Sequence, residues 1–115
     1  MDSTKQSKAQ ISIIIPTYNE SENIIQVLDS IGDHLPSGVS VEAIVVDDNS
    51  PDGTGQVVED YINDVQNKDG YSINVIHRET KSGLSSAILD GIQHSSAETI
   101  VVMDSDLSHP PKIIP

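Results

Sequence analysis

Val41-Glu42-Ala43-Ile44-Val45-Val46-Asp47-Asp48-Asn49-Ser50-Pro51-Asp52-Gly53-Thr54 changes character in one step. An apolar, β-branched run stops at two carboxylates, and Asn, Ser, Pro, Asp and Gly supply turn chemistry immediately after. A continuous apolar run, as opposed to an alternating one, marks a strand buried on both faces, the condition of a parallel sheet. Upstream, Ile11 to Thr17 repeats this design. Downstream, Ile73 to His77 and Thr99 to Met103 read as a third and a fourth strand.

Between these runs the apolar residues return at helical spacing. Ile24, Ile25, Val27, Leu28, Ile31 and Leu35 predict a helix over Glu22–Leu35, with Asn19 and Glu22 as its capping box. Val57, Val58, Tyr61, Ile62 and Val65 predict a second from Thr54 to about Gln66, closed by Asn67-Lys68-Asp69-Gly70. Leu84, Ala87, Ile88 and Ile92 predict a third over Leu84–His94. The order β-α-β-α-β-α-β, with crossovers long enough for parallel neighbours, gives an open parallel α/β sheet of Rossmann-like type. Residues 1–10 form a polar lead-in and 11–115 a single domain. Pro110-Pro111-Lys112-Ile113-Ile114-Pro115 reads as the place where a helix would open. The expectation is therefore the N-terminal part of a longer domain.

Charge and composition exclude several function classes. Six Lys and Arg against 18 Asp and Glu give a net charge of −12, which repels nucleic-acid backbones and anionic lipid headgroups. The absence of Cys removes disulfides, thiolate catalysis and Cys-ligated metals. With no Phe or Trp there is no base-stacking platform for single strands. The first ten residues lack the apolar core of a signal peptide, and no apolar run approaches the roughly 18 residues of a membrane span.

In open parallel sheets ligands bind outside the carboxyl ends of the strands, and four segments place polar residues there. These are Thr17, Tyr18, Asn19 and Glu20; Asp47, Asp48 and Asn49; Arg78 and Lys81; and Asp104 and Asp106. Asp104-Ser105-Asp106 turns two carboxylates toward one point, which suits a hard divalent ion such as Mg²⁺ or Mn²⁺. An Asp-x-Asp loop is also commonly just solvated, and Asp47-Asp48-Asn49-Ser50 reads equally as a capping turn. Arg78 and Lys81 would serve a diphosphate, or merely neutralise surface charge. Gly83 opens a helix whose free N–H groups suit an anion, though a lone Gly more often only permits a turn. His109 beside two prolines reads as structural, and His34, His77 and His94 as surface or satisfied residues. No nucleophile elbow, dinucleotide fingerprint or Walker A string is present.

Ile13-Ile14-Ile15-Pro16-Thr17-Tyr18-Asn19-Glu20, Val45-Val46-Asp47-Asp48-Asn49-Ser50-Pro51-Asp52-Gly53-Thr54, Arg78-Glu79-Thr80-Lys81-Ser82-Gly83-Leu84 and Met103-Asp104-Ser105-Asp106-Leu107-Ser108-His109-Pro110-Pro111 together resemble the family 2 glycosyltransferases of GT-A fold. The Ser-Pro-Asp-Gly-Thr and Asp-Leu-Ser-His-Pro-Pro strings narrow the resemblance to the polyprenyl-phosphate sugar synthases, most of all the dolichyl-phosphate mannosyltransferases. It implies metal-dependent, inverting transfer of mannose from GDP-mannose to dolichyl phosphate, for protein glycosylation. Pro16, Thr17, Tyr18, Glu20, Asn49 and Asp47 or Asp48 would line the nucleotide-sugar pocket. Asp104 and Asp106, with Ser108, would hold Mg²⁺ or Mn²⁺, and Arg78 and Lys81 would lie by the donor. The setting implied is the cytosolic face of the endoplasmic reticulum membrane, or of the plasma membrane in a prokaryote, reached through parts absent here or through membrane subunits.

Two residues depart from the family pattern: Ser105 replaces the usual Ala, and Ser85 a common Gly. The acceptor-side basic residues and membrane-associating helices of the family are missing, so this chain alone is not expected to turn over. The chemistry explains why no general base stands out. A phosphate monoester, with its second pKa near ~6, is already ionised at neutral pH, and the burden falls on the departing diphosphate.

Three rivals remain at this point. A response-regulator receiver domain also ends one strand in an acidic pair and a later one in an Asp; a UDP-glucose-dependent polyprenyl-phosphate glucosyltransferase would share the metal site; and the chain could be a non-catalytic nucleotide-sugar-binding half.

Overall fold

The computed structural model describes residues 9–35, 37–64, 70–79, 84–95, 97–103 and 112–114. Its elements in chain order are β1 (Ile11–Thr17), α1 (Ile24–Asp33), β2 (Val41–Asp47), α2 (Thr54–Asp64), β3 (Tyr71–His77), α3 (Leu84–His94), β4 (Thr99–Val102) and β5 (Lys112–Ile114). The strands form one sheet in the order β3-β2-β1-β4-β5, parallel except for β5, which runs antiparallel to β4.

Alternation along β1 divides the core between the sheet's faces. Ile13 and Ile15 pack with Ile24, Val27, Leu28 and Ile31 of α1 and Val58 of α2. Ile14, between them, packs on the other face with Ile44, Val46 and Ala87 of α3. Both faces of β1 and β2 are thus covered, which is why Ile13–Ile15 and Ala43–Val46 are apolar without a break. Each fully buried Ile, Leu or Val contributes about 1.5–3 kcal/mol. Gly91 lets α3 lie close: a Cβ there would stand 2.5 Å from Ile14 Cγ2 and 3.3 Å from Val46 Cγ2.

Several boundaries differ from the sequence reading. The capping box expected of Asn19 and Glu22 does not form. Asn19 takes a left-handed backbone (φ 58°), and α1 starts at Ile24 behind Asn23, whose side chain makes no capping bond. The chain between them folds as a tight turn, with the N–H groups of Asn23 and Ile24 both donating to Glu20 O (3.0 and 2.9 Å). β3 begins two residues early because Tyr71 pairs with Val41 and its hydroxyl donates to Leu28 O (2.9 Å). α2 is described as far as Asp64, and its expected end near Gln66 lies outside the described residues; β4 closes at Val102.

Where a helix was expected to open, Lys112–Ile114 form β5 instead. Ile113 and Ile114 are β-branched, and Pro115 biases the residue before it toward extended backbone. The outer edge of β4 then supplies a partner, pairing Ile100 with Ile114 and Val102 with Lys112.

Candidate functional site

β1 runs to β2 and β3 on one side of the sheet, and the chain then returns to β4 on the other. The crevice at the carboxyl ends of β1 and β4 is therefore the switch point where open α/β sheets take ligands. β1 pairs with β4 only as far as Ile14 opposite Val102, and Met103 N–H closes the pairing on Ile14 O (3.0 Å). Pro16, two residues on, has no N–H to offer on that side, so its place in a central strand leaves no donor stranded.

On the other side the ends of β1, β2 and β3 are level, with Thr17, Asp47 and His77 in register. Asp47 is buried and its carboxylate is consumed internally. Oδ1 accepts from Thr17 Oγ1 (3.1 Å) and Ser50 Oγ (2.6 Å), and Oδ2 from Ser50 N (3.2 Å). Three donors offset the burial of one charge. The capping-turn reading of Asp47 thus accounts for all of its described contacts.

From Ser50 onward the β2–α2 loop grips the loop after β1. The N–H groups of Asn19, Glu20 and Ser21 donate in turn to Ser50 Oγ (2.9 Å), Thr54 Oγ1 (2.9 Å) and Asp52 Oδ2 (3.1 Å). Asn19 Oδ1 accepts from Asp52 N (3.3 Å), and Asp52 Oδ1 accepts both N–H and Oγ1–H of Thr54 (3.0 and 2.5 Å). Ser-Pro-Asp-Gly-Thr is therefore a clamp on the loop that carries Tyr18 and Glu20. Burial tends to raise the Asp52 pKa, but the bonds from Thr54 and Ser21 outweigh it and hold the carboxyl below its ordinary 3.8. Tyr18 is 38% exposed at this rim, and Glu20 Oε1 accepts from Asn23 Nδ2 (3.1 Å).

Asp48 is also buried, and its N–H donates to Thr17 O (3.1 Å). Arg78 Nε stands 2.5 Å from Asp48 Oδ1, but no well-directed hydrogen bond reaches that oxygen, so the contact is charge against charge. Arg78 Nη1 donates to Asp90 Oδ2 of α3 (2.7 Å), while Arg78 N–H donates to Asp47 O (2.9 Å). Asn49, left-handed at φ 56°, donates from Nδ2 to Glu79 O (3.0 Å).

The sequence-predicted residues Pro16, Thr17, Tyr18, Glu20, Asp47, Asp48, Asn49 and Arg78 all lie at the carboxyl ends of β1, β2 and β3. Lys81, Gly83, Asp104, Asp106, Ser108 and His109 fall outside the described residues. Among the described residues no group of three or more His, Asp or Glu is arranged to hold a metal. Sequence reasoning missed Asp90, because twelve residues and an element boundary separate it from its partner Arg78. His34 and His94 cap their own helices through Nδ1, and His77 pairs with Glu59, in keeping with the surface reading of all three. A separate cleft of about 320 Å³ lies over β2 and β3, lined by Glu42, Ile44, Asn74, Val75, Ile76 and His94, and includes none of the site residues.

Comparison with known proteins covers nearly the whole chain. The model of glycosyl transferase family 2 matches residues 12–115. A dolichol-phosphate mannosyltransferase of Pyrococcus furiosus is 42% identical over 106 residues, 92% of this chain and 28% of the relative. A protein of the same name from Saccharomyces cerevisiae is 36% identical over 92% of this chain and 39% of its own length. An undecaprenyl-phosphate mannosyltransferase of Micrococcus luteus is 37% identical, over 92% of this chain and 42% of its own. The chain thus spans less than half the length of these relatives. Among solved structures, the mannosyltransferase PcManGT of Pyrobaculum calidifontis, in complex with GDP-Man and Mn²⁺, superposes with a TM-score of 0.73 at 25% identity, over 87% of this chain and 28% of that one. Staphylococcus aureus TarS with UDP gives 0.70 at 32% identity, over 84% and 27%.

Proposed function

The chain belongs to glycosyl transferase family 2, and from that premise we propose that it is the donor-binding part of an enzyme that moves mannose from GDP-mannose to dolichyl or another polyprenyl phosphate. The observation that carries the reading is the clamp of Ser50, Asp52 and Thr54 on the consecutive N–H groups of Asn19, Glu20 and Ser21, in the loop that leaves β1 beside the switch point of a parallel sheet. Such a clamp holds a nucleotide-facing loop in place before the ligand arrives, so little ordering entropy remains to be lost on binding. Similarity to relatives named as polyprenyl-phosphate mannosyltransferases, and to a fold seen with GDP-Man and Mn²⁺, favours the mannosyl donor.

In this reading Pro16, Thr17, Tyr18, Glu20, Asp48 and Asn49 face the nucleotide sugar, and Asp47 holds their loop. Arg78 and Lys81 lie on the donor side. Asp104 and Asp106, with Ser108, take Mg²⁺ or Mn²⁺, which supplies Lewis-acid stabilisation of the departing diphosphate when bound. The acceptor is an ionised lipid phosphate and needs no protein base. An acceptor of that kind places the whole enzyme at a membrane surface, on the cytosolic face of the endoplasmic reticulum or of a prokaryotic plasma membrane. No helix among the described residues is long and apolar enough to cross a membrane.

A receiver domain is disfavoured by topology. In that fold the strand of the acidic pair lies beside the strand of the phosphoacceptor Asp, whereas here β1 stands between β2 and β4. A uridine donor remains the second reading, because TarS, at 32% identity, is known with UDP.

Thermal-shift titration with GDP, GDP-mannose, UDP and UDP-glucose, each with Mn²⁺ and with a chelator, tests the proposal. A ligand that binds only the folded state raises its melting temperature. A Mn²⁺-dependent rise with the guanosine ligands is expected. A uridine preference would transfer the assignment to the second reading, and a clean melting transition that no nucleotide moves would end both.

A further inference from the structure

Arg78 looked from the sequence like a cation available to a diphosphate. The structure instead surrounds it with carboxylates. Its guanidinium lies between Asp48 and Asp90, with the Arg78 and Asp48 side chains 8% and 7% exposed. Two negative charges around one positive leave the cluster with a net charge of −1, so its positive charge is already spent. The two contacts are not equivalent. Asp48 Oδ1 attracts Nε without accepting a well-directed hydrogen bond, so this contact by itself leaves the plane of the guanidinium unfixed. Asp90 Oδ2 accepts a directed bond from Nη1 at 2.7 Å and removes that freedom. The frame behind both is rigid. Arg78 N–H is tied to Asp47 O, and Gly91, next to Asp90, presses α3 against Ile14.

We infer that Asp90 is a positioning residue for the nucleoside part of the donor site: from α3 it aligns Arg78, and Arg78 in turn neutralises and orients Asp48 at the end of β2. The inference rests on the donor-site reading above and deepens it. It assigns Arg78 to the nucleoside end of the ligand through Asp48, not to the diphosphate, and it gives α3 a part in a site otherwise built from strand ends.

Sign and ligand dependence together test this. Calorimetric titration with GDP and with GMP, both in Mn²⁺, is carried out on the unaltered chain and on Asp90→Asn, Asp90→Glu and Arg78→Lys. Asp90→Asn is expected to weaken both nucleotides by a similar factor, on the order of tenfold. Asp90→Glu keeps the charge and should recover most of the loss. Arg78→Lys should weaken binding as Asp90→Asn does, because an ammonium cannot span two carboxylates as the planar fork does; it also serves if Asp90→Asn shows no melting transition. Unchanged affinity in the folded variants overturns the role. So does tighter binding in Asp90→Asn, or a loss confined to GDP, since either makes Arg78 a phosphate cation that Asp90 merely restrains. Failure of the unaltered, folded chain to bind either nucleotide is a different result: it overturns the donor-site reading, and the role of Asp90 with it.

Discussion

Thr17 and Asp47 stand directly across from one another at the level ends of β1 and β2, and the Thr17 hydroxyl donates to the Asp47 carboxylate over 3.1 Å. The same carboxylate takes the hydroxyl and the N–H of Ser50, so one buried charge ties the end of β1, the end of β2 and the turn beyond it. Asp47→Ala leaves the N–H and hydroxyl of Ser50 without this acceptor and the Thr17 hydroxyl with only Val46 O, at 3.3 Å. Charge-assisted bonds contribute about 1.5–3 kcal/mol each and are not additive, so a loss of about 2–4 kcal/mol in unfolding free energy is expected. Urea titration measures it. A change under about 0.5 kcal/mol, the range of a neutral surface substitution, would contradict the arrangement.

The clamp responds to acid. Asp52 has its carboxyl pKa depressed in the folded state, so the unfolded chain binds the proton more readily and stability falls with falling pH. The contribution of Asp52 is intact above its ordinary pKa, 3.8, and is lost as pH falls below that through the folded value. Because this carboxyl lies at the surface, the effect belongs to the loop more than to the whole fold. Amide exchange should show protection of Ser21 and Thr54 dropping in this window, and Asp52→Asn should remove the dependence. Protection that is the same in both chains across the window would refute the clamp.

Alkali acts elsewhere. The Tyr61 hydroxyl donates to Asp29 across the α1–α2 contact. Burial first, and then Asp29, push its pKa up to about 12. Tyr71, buried beneath α1, is raised in the same direction by burial, with Tyr61 and Asp29 adding to it. A raised folded pKa means that the stabilisation is complete below about pH 10, the unfolded value, and is lost as pH climbs through 12. Melting temperature should fall along that limb, and Tyr61→Phe should flatten it. An equally steep fall in Tyr61→Phe would assign the limb to other groups.

What the sequence made legible follows from what each signal depends on. β1 and β2 end where their runs of Ile and Val end, at Thr17 and Asp47, because burial on both faces favours an apolar run through the middle of the strand. α3 spans Leu84–His94 as its apolar spacing predicts. Local signals failed where a distant partner decided. Asn19 has the side chain of a helix cap, but Asp52, 33 residues away, claims its carbonyl. Lys112–Ile114 carry no strand alternation of their own, and the open edge of β4 makes them a strand. The strand-end rule put Thr17, Asp47, Asp48 and Arg78 at one edge of the sheet, where the structure also has them. Which carboxylate is spent on structure, and that Asp90 enters from α3, depends on side-chain directions that residue spacing does not encode.

Gly91 tests the packing that supports this arrangement, and two effects compete there. Replacing Gly by Ala inside a helix gains about 1 kcal/mol of intrinsic propensity, and nothing about the backbone at Gly91 forbids a side chain. Against this, the new Cβ would lie 2.5 Å from Ile14 Cγ2 and 3.1 Å from Ile14 Cδ1, on a fully buried residue. Overpacking of this kind costs about 1–3 kcal/mol, so Gly91→Ala is expected to be net destabilising by up to about 2 kcal/mol. Backing α3 away from β1 would also draw Asp90 away from Arg78, so nucleotide affinity should fall with stability. Gly91→Ala paired with Ile14→Val, which removes one methyl from the contact, should recover part of both. A chain made more stable by Gly91→Ala alone would show that α3 does not pack against Ile14 this closely.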